Sequence, residues 1–163
     1  MENWYVATCK TGYGEQDRAE ENLLNQLFEV FNPQIEVELI RNGSLVTKVE
    51  PIFPGYIFVK FNPEVLSAGL VNNSGGIRQL VTFGNVLAKM ADSSMAELKE
   101  RFGDKAKPVS RVPKRGDKIE LKTGPMAGLE AIYHEKSGAK RSFLMIGLLG
   151  AQRKIEVENA QFS

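Results

Sequence analysis

Eleven residues, Pro51-Ile52-Phe53-Pro54-Gly55-Tyr56-Ile57-Phe58-Val59-Lys60-Phe61, constrain this chain more than any other stretch. Four aromatics and two prolines are packed together, and from Gly55 on Tyr56 and Phe58 alternate with Ile57, Val59 and Phe61. Alternation of that kind describes a strand with two apolar faces. One face fills a core. The other needs a partner, because a soluble domain rarely leaves a contiguous aromatic patch in water.

The 163 residues suit one ordinary domain or two small ones. The longest apolar run, Phe143 to Leu149, is too short to span a bilayer, so no membrane association is expected. Met1-Glu2-Asn3-Trp4 lacks the charged start and long apolar core of a signal peptide, and a cytoplasmic location is expected. The single Cys9 fits a reducing compartment and reads as a small buried group in the first strand. Net charge is only +1 but unevenly divided: residues 1–101 carry 9 Lys/Arg against 13 Asp/Glu, and 102–163 carry 12 against 7. The two parts attract each other, subject to screening by salt. An acidic first part argues against broad nucleic-acid binding there, which rests on neutralising many phosphates.

Trp4 to Cys9 reads as a buried strand, ended by Gly12-Tyr13-Gly14. Apolar residues at spacings of three and four predict a helix over Glu15 to Phe31, stopped by Asn32-Pro33. Ile35 to Ile40 and Leu45 to Val49 flank Arg41-Asn42-Gly43-Ser44, a hairpin signature. The aromatic strand follows, then a short helix over Glu64 to Val71 and a loop at Asn72-Asn73-Ser74-Gly75-Gly76. A strand over Ile77 to Phe83 and a helix over Ser93 to Phe102, with Ser93 or Ser94 as cap, complete the pattern. The order β-α-β-β-β-α-β-α gives an α+β domain over residues 1–102, an antiparallel sheet with packed helices. Residues 103–114, with Pro108 and Pro113 among charges, read as a linker, and 115–163 as a second domain.

That second domain carries two conflicting signals. Arg115 to Lys122 alternates, and Thr123-Gly124-Pro125-Met126-Ala127-Gly128 supplies a tight turn. Arg153 to Glu158 alternates as well. Yet Leu129, Ile132 and Tyr133 form one face of a helix, as do Phe143, Ile146 and Leu149. Local preference leaves the choice to tertiary contacts.

Trp4-Tyr5-Val6, the Pro51–Phe61 run and Gly124-Pro125 together resemble the NusG family of transcription elongation factors. Gly116-Asp117, Ile119, Leu121, Gly124-Pro125 and Gly128 resemble its KOW motif, a small five-stranded barrel, with Ala131 where many members have a third glycine. Asn3-Trp4-Tyr5-Val6, Cys9-Lys10, Glu50-Pro51-Ile52-Phe53-Pro54, Phe61-Asn62-Pro63-Glu64-Val65 and Arg141-Ser142-Phe143-Leu144-Met145 are similar to the specialised RfaH-type branch. That resemblance implies a KOW-type C-terminal domain that docks as an α-helical hairpin on the aromatic patch and, once released, refolds into a small β-barrel. It also implies a latch between Glu50 and Arg141.

By matched position, Phe53, Pro54, Tyr56, Phe58 and Phe83 are implied to bind the clamp helices of the largest RNA polymerase subunit, with Thr8 where relatives often place an aromatic. Lys10, Tyr13, Gln16 and Arg18, with Asn72, Asn73 and Ser74, are implied to read the non-template DNA strand; Thr11 and Gly75 stand where basic residues would be expected. Ser67-Ala68-Gly69-Leu70 replaces a threonine-rich tract that touches the other large polymerase subunit. In the released barrel Ile119, Leu121, Leu148 and Leu149 are either core or the contacts for a small-subunit ribosomal protein or Rho.

Nothing in the sequence marks catalysis. His134 is the only histidine, and metal-ligand spacing, a phosphate loop and a nucleophile elbow are all missing. The expectation is a non-enzymatic, cofactor-free, monomeric factor for operon-specific transcription elongation and antitermination, autoinhibited by its C-terminal domain. The alternatives are a housekeeping NusG-like factor with a permanent barrel, or an RNA- or ribosome-binding KOW adaptor.

Overall fold

The computed structural model describes residues 1–102 and 125–162, with side chains described over 1–102 and 129–152. Strand β1 (Asn3–Cys9) runs into helix α1 (Glu15–Asn25), then β2 (Glu29–Phe31), the hairpin β3 (Gln34–Arg41) and β4 (Ser44–Pro51), and β5 (Tyr56–Phe61). Helix α2 (Ala68–Asn72), four short strands β6 (Ile77–Leu80), β7 (Thr82–Phe83), β8 (Val86–Leu87) and β9 (Lys89–Met90), and α3 (Asp92–Phe102) follow. Two helices, α4 (Pro125–His134) and α5 (Gly138–Phe162), end the chain. The KOW-like residues Gly116 to Gly124, including Ile119 and Leu121, and the expected linker 103–114 lie outside the described residues.

The main sheet is antiparallel in order β2-β5-β1-β6, with β9 also on β1. The alternation in β5 divides as the sequence implies. Ile57, Val59 and Phe61 face one cluster with Tyr5, Ala7, Cys9, Ala19, Leu23 and Val71, under α1 and α2. Phe58 and the half-buried Tyr56 face the other, with Trp4, Val6, Phe53, Met95, Leu98 and Phe102. Leu129, Ile132, Met145, Leu148 and Leu149 from α4 and α5 complete that second cluster. A fully buried Leu of this kind contributes about 1.5–3 kcal/mol relative to exposure.

Three elements differ from expectation. The first helix ends at Asn25 rather than Phe31, and Leu27 turns the chain at φ 67°. Residues 29–31 instead pair with β5, which places Phe31 beside Phe58 at 5.9 Å between ring centres. The helical spacing of Phe28 and Phe31 is overridden because each ring packs better on a different side of the sheet. The strand expected over Ile77 to Phe83 divides in two, β6 pairing with β1 and β7 with β8. The short helix begins at Ala68, where the Ser67 hydroxyl accepts a bond from the Gly69 amide.

The β3–β4 hairpin forms its own two-stranded sheet, turned by Asn42 and Gly43, both at positive φ (52° and 79°). Its base is anchored by Ile35, which is buried, while Ile40 and Leu45 pair across its exposed tip. Gly76 is fixed by space as well as by φ (+89°): a Cβ there would lie 2.5 Å from the Ala19 amide nitrogen.

Candidate functional site

The second apolar face of β5 is covered by the molecule's own C-terminal helices. Phe53 and Phe58 meet edge to face at 5.6 Å, Phe53 meets Phe102 at 6.5 Å, and Phe102 meets Tyr133 of α4 at 5.9 Å. Phe53 and Phe58 are buried, Tyr56 and Phe83 half-buried, and Pro54 exposed. Pro54 lies against the first turn of α5, where its carbonyl accepts a bond from the Ser142 hydroxyl at 3.1 Å. Phe83 lies close to Gly150 of α5.

Arg141 organises this contact. Its side chain is 1% exposed, and its guanidinium donates to Glu50 Oε1 at 3.2 Å and to the Ile52 carbonyl at 2.9 Å. It also donates to the carbonyls of Glu135 and Lys136 in the α4–α5 turn. The sequence resemblance paired Glu50 with Arg141, and the two side chains meet.

Arg141 also sets the rotation of α5. With residue 141 inward, Ser142, Met145, Leu148 and Leu149 are buried and Gln152 reaches the N-terminal domain, while residue 143 points away. The expected stripe through Phe143, Ile146 and Leu149 is therefore corrected at one position: Phe143 is 78% exposed, while Leu149 is buried and Ile146 packs against the cluster, joined by Met145 and Leu148.

Two further polar contacts tie the hairpin down, and sequence reading missed both. Gln152 accepts a bond from the Ala91 amide at 2.9 Å and donates to the Ser94 hydroxyl at 2.8 Å, so α5 satisfies the start of α3. Ser94 is thus a receiver inside α3 rather than its cap. Arg101 at the end of α3 bonds Glu97 Oε1 at 2.7 Å and Glu130 of α4. His134 Nε2 approaches Glu130 Oε2 at 3.3 Å, and the Arg101 guanidinium lies 5.1 Å from the Tyr133 ring centre. Burial opposes the Arg101 charge, but bonds and charges from Glu97 and Glu130 outweigh it and raise its pKa. The spacings Glu97–Arg101 and Glu130–His134 are readable as i,i+4 pairs, but nothing local joins one to the other.

The residues implied in DNA reading divide into exposed and occupied. Lys10 and Tyr13 are exposed, Tyr13 completely, on the loop after β1. Arg18 pairs with Glu15 at 3.4 Å and runs beside Gly75, where a Cβ would lie 2.9 Å from its Nη2. Asn72 and Asn73 are exposed at the end of α2, although Asn72 Oδ1 accepts from the Leu80 amide. Gln16 is committed elsewhere: it donates to Asn32 Oδ1 and the Tyr56 carbonyl and accepts from the Gly55 amide at 2.8 Å. It thereby holds the Pro54-Gly55 turn. Ser74 is buried, between Gln26 at 2.7 Å and the Leu70 carbonyl. Of the residues implied as barrel contacts, Leu148 and Leu149 are buried in the cluster with Phe53, Phe58 and Phe102.

Cys9 is buried, and desolvation first, with Glu15 adding to it, pushes its thiol up to about 12, so it is chemically quiet. Among the described residues no group of His, Cys, Asp and Glu could hold a metal ion, and no helix is long and apolar enough to cross a membrane.

Comparison with known proteins bears on this arrangement. A family model described as "Transcription termination factor nusG" matches residues 2–99. The transcription termination/antitermination protein NusG of Staphylococcus aureus strains Mu50 and N315 is 24% identical over 166 residues, covering 95% of this chain and 91% of the relative. A solved structure titled "Domain interaction in Thermotoga maritima NusG" is similar at 20% identity and a TM-score of 0.39, over 76% of this chain and 68% of that one. The chain belongs to the NusG family, whose members are transcription termination and antitermination factors rather than enzymes.

Proposed function

We propose that this chain is an RfaH-type elongation and antitermination factor whose N-terminal domain binds RNA polymerase and whose C-terminal helices block that site until recruitment. One observation carries the reading. The face bearing Phe53 and Phe58 is covered by α4 and α5 and locked by a fully buried Arg141. A cover held by polar contacts as well as apolar ones is suited to being displaced as a unit. On this reading Phe53, Pro54, Tyr56, Phe58 and Phe83 meet the clamp helices of the polymerase. Lys10, Tyr13, Arg18, Asn72 and Asn73 meet the non-template strand, combining charge, an exposed ring and amides. Gln16 and Ser74 position those loops from within. Release refolds the tail into a KOW barrel, which frees Leu148 and Leu149 for a ribosomal protein or Rho.

The test compares binding of core RNA polymerase by the parent chain and by Arg141→Ala. Tighter binding by the variant is expected, together with loss of helical signal from the tail. Equal affinity despite a detached tail would remove autoinhibition from the proposal.

A second reading, a housekeeping NusG-like factor, draws on the near full-length likeness to Staphylococcus aureus NusG. Circular dichroism of residues 103–163, attached and detached, separates the two. A change in secondary structure on detachment belongs only to the switching factor.

A further inference from the structure

We propose that Arg101 is a docking cation used in turn by two occupants of the aromatic face: Glu130 of α4 when the hairpin is down, and a carboxylate on the partner's helical surface when it is up. The proposal rests on the masking reading above and adds to it the chemistry the partner must present.

Arg101 stands at the rim of the covered face, next to Phe102, which is buried against Phe53 and Tyr133. Its guanidinium is held along two edges. Nε belongs to Glu97, one turn back on the same helix, and Nη2 belongs to Glu130. Its planar face is covered by Tyr133. Lifting α4 removes Glu130, His134 and Tyr133 together and leaves Glu97 in place. One edge and one face of the guanidinium are then bared beside an aromatic surface. A planar cation so placed, already oriented by a neighbouring carboxylate, is the residue type that anchors interfaces.

The hairpin acts as a template for what replaces it. Near the α4–α5 turn it offers a guanidinium, Arg141, to Glu50 of the N-terminal domain. Eleven residues earlier, on α4, it offers a carboxylate, Glu130, to Arg101. Among the described residues, the groups facing Arg101 are Glu97 from α3 and Glu130 and Tyr133 from α4, with His134 against Glu130 behind them. Lys99, on the same helix, is engaged with Trp4 at 4.4 Å and Glu29 at 3.9 Å. The surface under the hairpin therefore has a charge polarity, anionic at Glu50 and cationic at Arg101. Its partner is a helical surface with apolar side chains between a cation and a carboxylate. A partner of reversed polarity is rejected, since it would place like charges together.

Two full-length variants separate sharing from simple closure. Glu130→Gln and Arg101→Gln cut the same closed contact from opposite sides. Hydrogen exchange of α4 and α5 amides reads the opening, and binding to core RNA polymerase reads the docking. Both variants are expected to lose protection in α4. Glu130→Gln, which keeps the docking group, is expected to bind polymerase more tightly than the parent. Arg101→Gln is expected to bind roughly tenfold more weakly than Glu130→Gln, as fits loss of one charged hydrogen bond at an interface. Equal, enhanced binding by both variants overturns the docking role of Arg101 and leaves masking intact. Opened hairpins in these variants and in Arg141→Ala, with no gain in binding by any of them, overturn the masking reading and this proposal together. Unchanged α4 protection in both overturns the contact as a closing device.

Discussion

Arg141 and Glu50 carry unequal shares of the contact between them. The arginine is enclosed and bonded to three backbone carbonyls as well as to the carboxylate. The Glu50 side chain is 27% exposed and meets one guanidinium nitrogen. Arg141→Ala removes four bonds and leaves a cavity, which should weaken docking by roughly 3–5 kcal/mol. Glu50→Ala takes the carboxylate from an enclosed guanidinium but leaves it three carbonyl partners, and should cost about 1–3 kcal/mol. Exchange protection of α5 in the two variants checks the ratio, and equal losses would mean that the carboxylate, not the carbonyls, holds the arginine. The pairing itself came from the family likeness of Glu50-Pro51 and Arg141-Ser142. The carbonyl contacts are formed by backbone, which no side-chain pattern records.

At the level of elements, the first turn of α5 decides how closely the hairpin sits. A Cβ on Gly138 would lie 2.7 Å from Pro54 Cγ, and a proline ring gives little. Gly147, in the same helix, has nothing within 4 Å of a built Cβ. Alanine raises helix propensity at interior positions by about 1 kcal/mol. Gly147→Ala should therefore stabilise the closed form. Gly138→Ala should weaken it by about 1–3 kcal/mol through overpacking. Thermal unfolding followed by α5 helicity distinguishes the two, and parallel shifts would show that propensity, not contact with Pro54, governs. The two faces of β5 and the Asn42-Gly43 hairpin were readable because period-two alternation and turn chemistry are local. The early end of α1 and the rotation of α5 were not. Phe31 and Phe143 have helical spacing, but one is claimed by Phe58 across the sheet and the other is turned outward by Arg141.

For the molecule as a whole, the two clusters differ in how many chain segments they need. Among the described residues, the cluster under α1 and α2 is drawn from 1–102 alone. The other borrows Leu129, Ile132, Met145, Leu148 and Leu149 from the tail. Opening should therefore be a separate, lower-energy event than global unfolding. Native-state hydrogen exchange should group α4 and α5 into one unit that exchanges before β1 and β5; a single shared opening energy would show that tail and sheet come apart only together. Family membership, the strand with two apolar faces and the meeting of Glu50 with Arg141 were legible from the chain. Which α3 residues the tail grips was not, because Arg101 and Glu130 are 29 positions apart and meet only through the docked geometry.

The grip of Gln152 on the start of α3 has a consequence beyond holding the tail. The Ala91 amide has its acceptor in another element, 61 residues away. Were the tail to lift as proposed, that hydrogen would lose its glutamine and turn to water, although nothing else between β9 and α3 need move. One backbone proton beside α3 would thus report the whereabouts of a distant helix, and a label there would time any such departure without touching the covered face.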